Sequence, residues 1–281
     1  MQIHDVTLPG KKLKLAPVGD FQFGAAGCDT EKLKAHIRYG VKNKWWFLGL
    51  GDYLDHFSPS NRRALVAAKT DLYDSAIELL DGAIEERAMQ LVEGPLKGSQ
   101  GRWIGCVHGD HNWTFSNGEP VDHFIAQQLE AEYLGTAAIV RISLEEVPDA
   151  SPLRVFVTHG RGASVSSTGK TLHLERLLSA FDVDIVLMGH SHLKYGFPVD
   201  KLKAVTLPDG KNKLVNETKI LGITGSFYNG YQYRQEDAAG YPSGSYPEHG
   251  AMRPIPTGGI LIDAEPVEED WGFRWDMRVS A

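Results

Sequence analysis

The sequence predicts an α/β fold whose second sheet is built partly from C-terminal strands. From residue 12 to about 193, short apolar runs alternate with segments of helical periodicity, which marks strand–helix units. From residue 196 onward no long helical pattern follows, and short apolar runs separated by turns take over. A chain of 281 residues, 42% hydrophobic and 23% charged, has the make-up of a globular protein with a sizeable core. Neither a linker nor a repeat divides it, so residues 1–281 read as a single domain that includes the segment from about 196 to 281.

Residues 12–18 form a short strand running into VGDFQFG. CDTEKLKAHIRYGVKNK follows with helical spacing, and Asp29 or Thr30 is placed to cap it. WWFLGLGD is a second apolar strand, ending at Asp52. Residues 62–93, rich in Ala, Leu, Glu and Asp, predict one or two helices. RWIGCVHGD is a third strand with a polar end, and EPVDHFIAQQLEAEYLG predicts a helix stopped by Gly135. AAIVRISLEEV and LRVFVTHG are strands, GKTLHLERLLSAF is an amphipathic helix, and VDIVLMGH is a further strand. KAVTLP, KLVNETKILGITGSF and GGILIDAE are the strands of the last third.

A net charge of −7 argues against broad, sequence-independent binding to nucleic acid but leaves room for a local positive site. Cys28 and Cys106 cannot make a disulfide framework and lack thiol-ligand spacing; Cys106, within WIGCV, reads as a small core residue. The N-terminal stretch has no apolar signal core and no run approaches a membrane span, so a reducing, cytoplasmic location and no membrane partner are expected.

DIVLMGHSHLKYG raises the functional question, because its apolar strand ends in His190 and His192. Histidines at a loop tip are commonly solvated, and one Gly-Asp pair is an ordinary turn. Here, however, GDFQ, GDYLD, GDHN, THG and GHSH all stand at strand ends, where ligand loops of α/β folds gather. Carboxylates and neutral imidazoles are ligands for Zn²⁺, Mn²⁺ and Fe. A shared carboxylate holds two ions about 3.5–4 Å apart, a pair suited to activating water against a phosphoryl group.

The order of these five motifs, from Asp20 to His192, resembles the calcineurin-like metallophosphoesterase superfamily. The resemblance implies a two-sheet β-sandwich flanked by helices, four layers in the order α/β/β/α, with a dinuclear centre at one edge. It implies that Asp20, Gln22, Asp52 and His192 hold one ion, and Asp52, Asp110, His159 and His190 the other. His111 would protonate the leaving oxygen, and Asp55, within GDYLDHF, would orient it. His56 stands where related phosphatases place a phosphate-binding arginine. Arg161 and Lys170 follow His159 and are candidates to face the site, as is Tyr228 in the tyrosine- and glycine-rich segment 225–250. That segment also resembles loops of members found in bacteriophage and prophage regions.

Two departures stand out. Gln22 replaces a histidine of the family, and GDHN replaces Gly-Asn-His-acid, which puts more oxygen in the ligand set. That shifts preference toward Mn²⁺ over Zn²⁺ or Fe, or else Gln22 does not ligate and the first ion is weakly held. STGKT at 167–171 resembles a phosphate loop, but the position of its first glycine holds Ser164. The sequence reading is thus a phosphoesterase using two divalent ions on a phosphorylated small molecule or nucleic acid. A metal-dependent nuclease and a decayed, non-catalytic metal-binding or scaffold protein remain the alternatives.

Overall fold

The computed structural model describes residues 1–57, 59–161, 167–232, 236 and 239–281. Its strands are β1 (Gln2–Leu8), β2 (Leu13–Val18), β3 (Trp46–Gly49), β4 (Trp103–Val107), β5 (Glu132–Gly135) and β6 (Ala137–Leu144). They continue with β7 (Leu153–Thr158), β8 (Ile185–Met188), β9 (Lys194–Thr206), β10 (Asn212–Thr224), β11 (Leu261–Glu269) and β12 (Gly272–Ser280). The main helices are α1 (Thr30–Lys42), α2 (Pro59–Ala68), α3 (Asp74–Glu93), α4 (Val121–Gln128) and α5 (Ser167–Ala180).

These strands form two mixed sheets of six, ordered β1-β6-β7-β8-β10-β9 and β12-β11-β2-β3-β4-β5. Leu15, Leu48, Leu50, Val107, Val155, Leu187 and Ile262 fill one core, drawn from strands of both sheets. Leu33 and Ile37 of α1, Ile84 and Leu91 of α3 and Ile125 of α4 pack with Phe47 and Trp103 of the second sheet. Leu174 and Leu178 of α5 pack with Phe156, Val186 and Leu221 of the first. β8 lies parallel between β7 and β10, so all four of its residues are buried and it shows no alternation. The Asp29 side chain caps α1 by accepting from Lys32 N at 3.0 Å. Among the described residues no helix is long and apolar enough to cross a membrane.

The structure departs from the sequence reading at the helix before Gly135, in two added strands and in the start of β9. The helix expected to run to Gly135 stops at Gln128, and β5 follows. Glu130, with φ 56°, breaks the helix, and Glu132–Gly135 pairs with the free edge of β4. Edge pairing outweighs the helical spacing there. The segment 62–93 holds two helices, α2 and α3, joined by a 3-10 turn at Lys69–Asp71, in line with the one or two expected. Two strands were not expected: β1, which pairs parallel with β6, and β12, which pairs with β11. The strand seen in KAVTLP begins earlier, at Lys194, and tolerates Pro198 because β9 is the sheet edge.

Candidate metal centre

β2, β3 and β4 run parallel in one sheet, and β7 and β8 run parallel in the other. Their carboxyl ends deliver the ligand-type residues within a few positions of the last strand residue. There the backbone turns left-handed: Asp20, Gln22, Asp52, His190 and His192 have φ between 50° and 61°. Such conformations cost about 1–3 kcal/mol each and persist only where their surroundings impose them. The glycines before the ligands are required by strand ends crowding together. A Cβ on Gly109 would stand 2.1 Å from Asp52 N, and one on Gly189 would stand 2.8 Å from the Leu50 carbonyl oxygen.

Two overlapping groups result. Asp20, Asp52 and His159 bring ligand atoms within 4.8 Å of one another, and so do Asp110, His159 and His190. His159 Nε2 lies 3.2 Å from Asp52 Oδ2. His190 Nδ1 lies 3.1 Å from Asp110 Oδ2, and His192 Nε2 lies 3.4 Å from Asp20 Oδ1. Gln22 also reaches the cluster, donating from Nε2 to Asp52 Oδ2 at 3.2 Å. Turning that amide over would present Oε1 instead.

Buried atoms without hydrogen bonds show that this donor set fits a cation. Both Asp20 oxygens are buried without a hydrogen bond, and His192 Nε2, 3.4 Å from Oδ1, is the group beside them that can become cationic. A buried carboxylate with no hydrogen bond is costly, and a divalent ion is the partner that aspartates and imidazoles together satisfy. His159 Nδ1 donates to the Leu50 carbonyl oxygen at 2.6 Å; that oxygen can only accept, so the Nε2 lone pair is left for the cluster. In the metal-free protein, charges substitute for the ion. Burial opposes ionisation of Asp52, but His159 and His111 outweigh it and hold the carboxyl well below the usual range. Burial likewise disfavours a charged His159, yet Asp52 and Asp20 push its pKa up to about 10. The hydrogen bond between Asp110 and His190 lowers the pKa of the first and raises that of the second.

His111 N donates to Asp52 Oδ1 at 2.8 Å. Its ring Nδ1 sits 3.0 Å from Asp55 Oδ1, which places Nε2 on the Asp52 side, 3.9 Å from Oδ2. Behind this turn lies a network that sequence reasoning missed. Asp122 Oδ2 accepts from Gly109 N at 2.9 Å and lies 3.2 Å from His108 Nδ1. Tyr133 Oη and Asn112 Nδ2 contact the same imidazole at 3.1 and 2.6 Å. The available signal was an acid on the buried stripe of α4, beside Val121, Ile125 and Ala126.

The remaining candidates are less central. Tyr228 lies with its ring centroid 6.2 Å from that of His192, and Ser226 ties the same segment to the Asp20 carbonyl at 2.9 Å. His56 stacks obliquely on Phe57, and its Nε2 is buried without a partner. Arg161 is exposed, and no contact joins it to the cluster among the described residues. Lys170 donates to the Ser191 carbonyl, between the two histidines, at 2.9 Å. Ser164, at the first position of the phosphate-loop look-alike, and Tyr233 of the tyrosine-rich segment lie outside the described residues. A cavity of about 320 Å³ includes Asp184, before β8, Arg154 and Lys219, but these charges pair with one another.

No family model and no curated protein matches the chain. It is similar to the solved structure of a conserved uncharacterized protein, a predicted phosphoesterase, from Streptococcus pneumoniae. The identity is 11% and the TM-score 0.35, over 95% of this chain and 88% of that one. It is also similar to Vps29 of Chaetomium thermophilum, at 11% identity and TM-score 0.35, over 96% and 97% of the two chains. Zinc-complexed Vps29 of Entamoeba histolytica gives 12% and 0.30, over 95% and 99%. At these identities and TM-scores the likenesses assign neither a family nor an activity to the chain.

Proposed function

We propose that this protein is a metal-dependent phosphoesterase of the calcineurin-like kind, with the four-layer α/β/β/α arrangement and a dinuclear centre. The observation that carries the reading is the fully buried carboxylate of Asp20, which no hydrogen bond satisfies, set in a cluster of acids and imidazoles drawn from both sheets. Asp20, Gln22, Asp52 and His192 would hold one ion, and Asp52, Asp110, His159 and His190 the other. When bound, two divalent ions supply a water nucleophile at neutral pH and offset charge on the phosphoryl oxygens.

The chain supplies the rest. Asp55 accepts from His111 Nδ1 and so fixes the ring. That leaves Nε2 to hold a proton for the leaving oxygen, the task of a general acid. The Asp52 carboxylate also accepts from His111 N, so one side chain sets both the ligand position and the position of the acid. Asp20, Asp52, Asp110 and Gln22 make the donor set rich in oxygen and favour Mn²⁺ over Zn²⁺ or Fe. The substrate is a phosphate mono- or diester, carried on a small molecule or a nucleic acid, and the site is cytoplasmic.

The test is metal analysis together with hydrolysis of p-nitrophenyl phosphate and bis(p-nitrophenyl) phosphate. Two ions per chain are expected, with turnover that a chelator removes and Mn²⁺ restores. A protein that takes up no metal and cleaves neither ester is not a phosphoesterase.

A further inference from the structure

α3 carries an arginine that its own helix does not explain. The inward stripe of α3 is Ile84, Ala88, Leu91 and Val92, all buried. Arg87 sits at the edge of that stripe and is half-buried. Positions three and four away hold Ala83, Ile84, Gln90 and Leu91, so no helical neighbour offers a carboxylate. The half-buried Arg154 and Arg274 are each tied to acids. Arg87 has no ion-pair or hydrogen-bond partner among the described residues, and its guanidinium lies 5.9 Å from the Phe23 ring centroid.

Its location gives this meaning. Phe23 bridges to Leu54, and Asp55 N donates to the Phe23 carbonyl at 3.0 Å, so the chain after Gln22 runs beside the chain from Asp52 to Asp55. Arg87 covers this seam: its Nη1 lies 3.9 Å from where a Cβ on Gly24 would stand. The guanidinium therefore sits beside the segments that carry Gln22 on one side and Asp55, the partner of His111, on the other. His56 shares this corner; burial and then Arg87 depress its pKa against the pull of Asp55, so Arg87 is the cation there. A half-buried cation without a counter-charge is costly until an anion arrives, and a planar guanidinium matches two phosphate oxygens at once.

We propose that Arg87 binds the phosphoryl group of the substrate and makes the site select phosphomonoesters over diesters. A monoester has three non-bridging oxygens and is close to dianionic at neutral pH, with a second pKa of about 6. A diester has two such oxygens and one charge, so an added fork of donors favours the monoester. The inference rests on the proposed phosphoesterase activity.

The experiment compares Mn²⁺-loaded wild type, Arg87→Gln and Arg87→Lys on p-nitrophenyl phosphate and bis(p-nitrophenyl) phosphate, and titrates each with inorganic phosphate by calorimetry. Arg87→Gln should raise the monoester KM roughly 10–100-fold, the range for a hydrogen bond to a charged group. Metal content should change little, the diester KM should rise by a clearly smaller factor because the diester carries one charge fewer, and phosphate affinity should fall by the same factor as the monoester KM rises. Arg87→Lys keeps the charge without the fork and should fall between; it carries the comparison alone if Arg87→Gln does not fold. An unchanged monoester KM, or equal losses on both esters, overturns the proposal. If wild type cleaves neither ester, the phosphoesterase reading fails and the phosphate titration decides Arg87. Weaker binding in the variants then supports it, and equal binding, or none by wild type, overturns it.

Discussion

Replacing Asp122 by alanine would test whether the turn that carries Asp110 and His111 is held from behind. One oxygen of Asp122 accepts from the buried Gly109 amide at 2.9 Å and faces His108 Nδ1 at 3.2 Å. Without it, the Gly109 amide has no acceptor, which costs about 1–3 kcal/mol. The lost contact to His108 adds about 1 kcal/mol, so the substitution should destabilise by about 2–4 kcal/mol. For 281 residues the unfolding entropy near the midpoint is roughly 0.6 kcal/mol/K, which converts the loss to a fall in Tm of about 3–7 °C. Thermal unfolding of the metal-free protein measures it. Asp122→Asn keeps an acceptor for Gly109 and should recover more than half of the loss. A Tm within 1 °C of wild type for Asp122→Ala, on the scale of about 0.6 kcal/mol, would refute the idea that this carboxylate supports the turn.

Three further outcomes are expected. His111→Ala should keep its bound metal yet lose on the order of 10²–10⁴ in rate, and lose less on esters with a nitrophenol leaving group, which needs no proton; loss of metal would show that His111 is a ligand. Gln22→Ala should raise the Mn²⁺ concentration needed for activity more than it lowers saturated turnover, and Gln22→His should tighten the site and favour Zn²⁺. Superimposable Mn²⁺ titrations for wild type and both variants would show that Gln22 does not ligate. The last concerns pH. Because the folded pKa of His159 is raised to about 10 from 6.5, its ion pair stabilises the metal-free protein fully below 6.5 and is lost as pH rises through about 10. Metal uptake must displace that proton, so Mn²⁺ affinity should climb by up to about tenfold per pH unit between about pH 6.5 and 9. A flat profile by calorimetry would mean that His159 takes no part in holding the ion.

Asp20, Asp52, Asp110, His159 and His190 were legible because each closes an apolar run in a Gly-Asp, Thr-His or Gly-His pair, and Gln22 and His192 stand two residues further on. That signal is local, and strand ends are where a parallel arrangement must place its loops. The alternation of apolar and helical segments likewise reported α/β organisation, since each periodicity is a property of its own segment. β5 was misread for the same reason: its helical spacing is local, while the β4 edge that captures it is not.

What only the tertiary structure decided is which residues meet. Asp20 and Asp52 come from one sheet and His159 from the other, and they converge only because the two sheets pack face to face. The sequence placed His159 with Asp52, Asp110 and His190, and the structure also sets it beside Asp20. Asp122 and Arg87 show the limit most plainly. Each is a charged residue on a helix, 13 residues from Gly109 in one case and 32 from Asp55 in the other. On sequence alone Arg87 is an ordinary solvated position, and Asp122 is marked only by its place on the apolar stripe of α4. Their meaning lies in burial and in an adjacent loop, and chain folding alone puts those beside them.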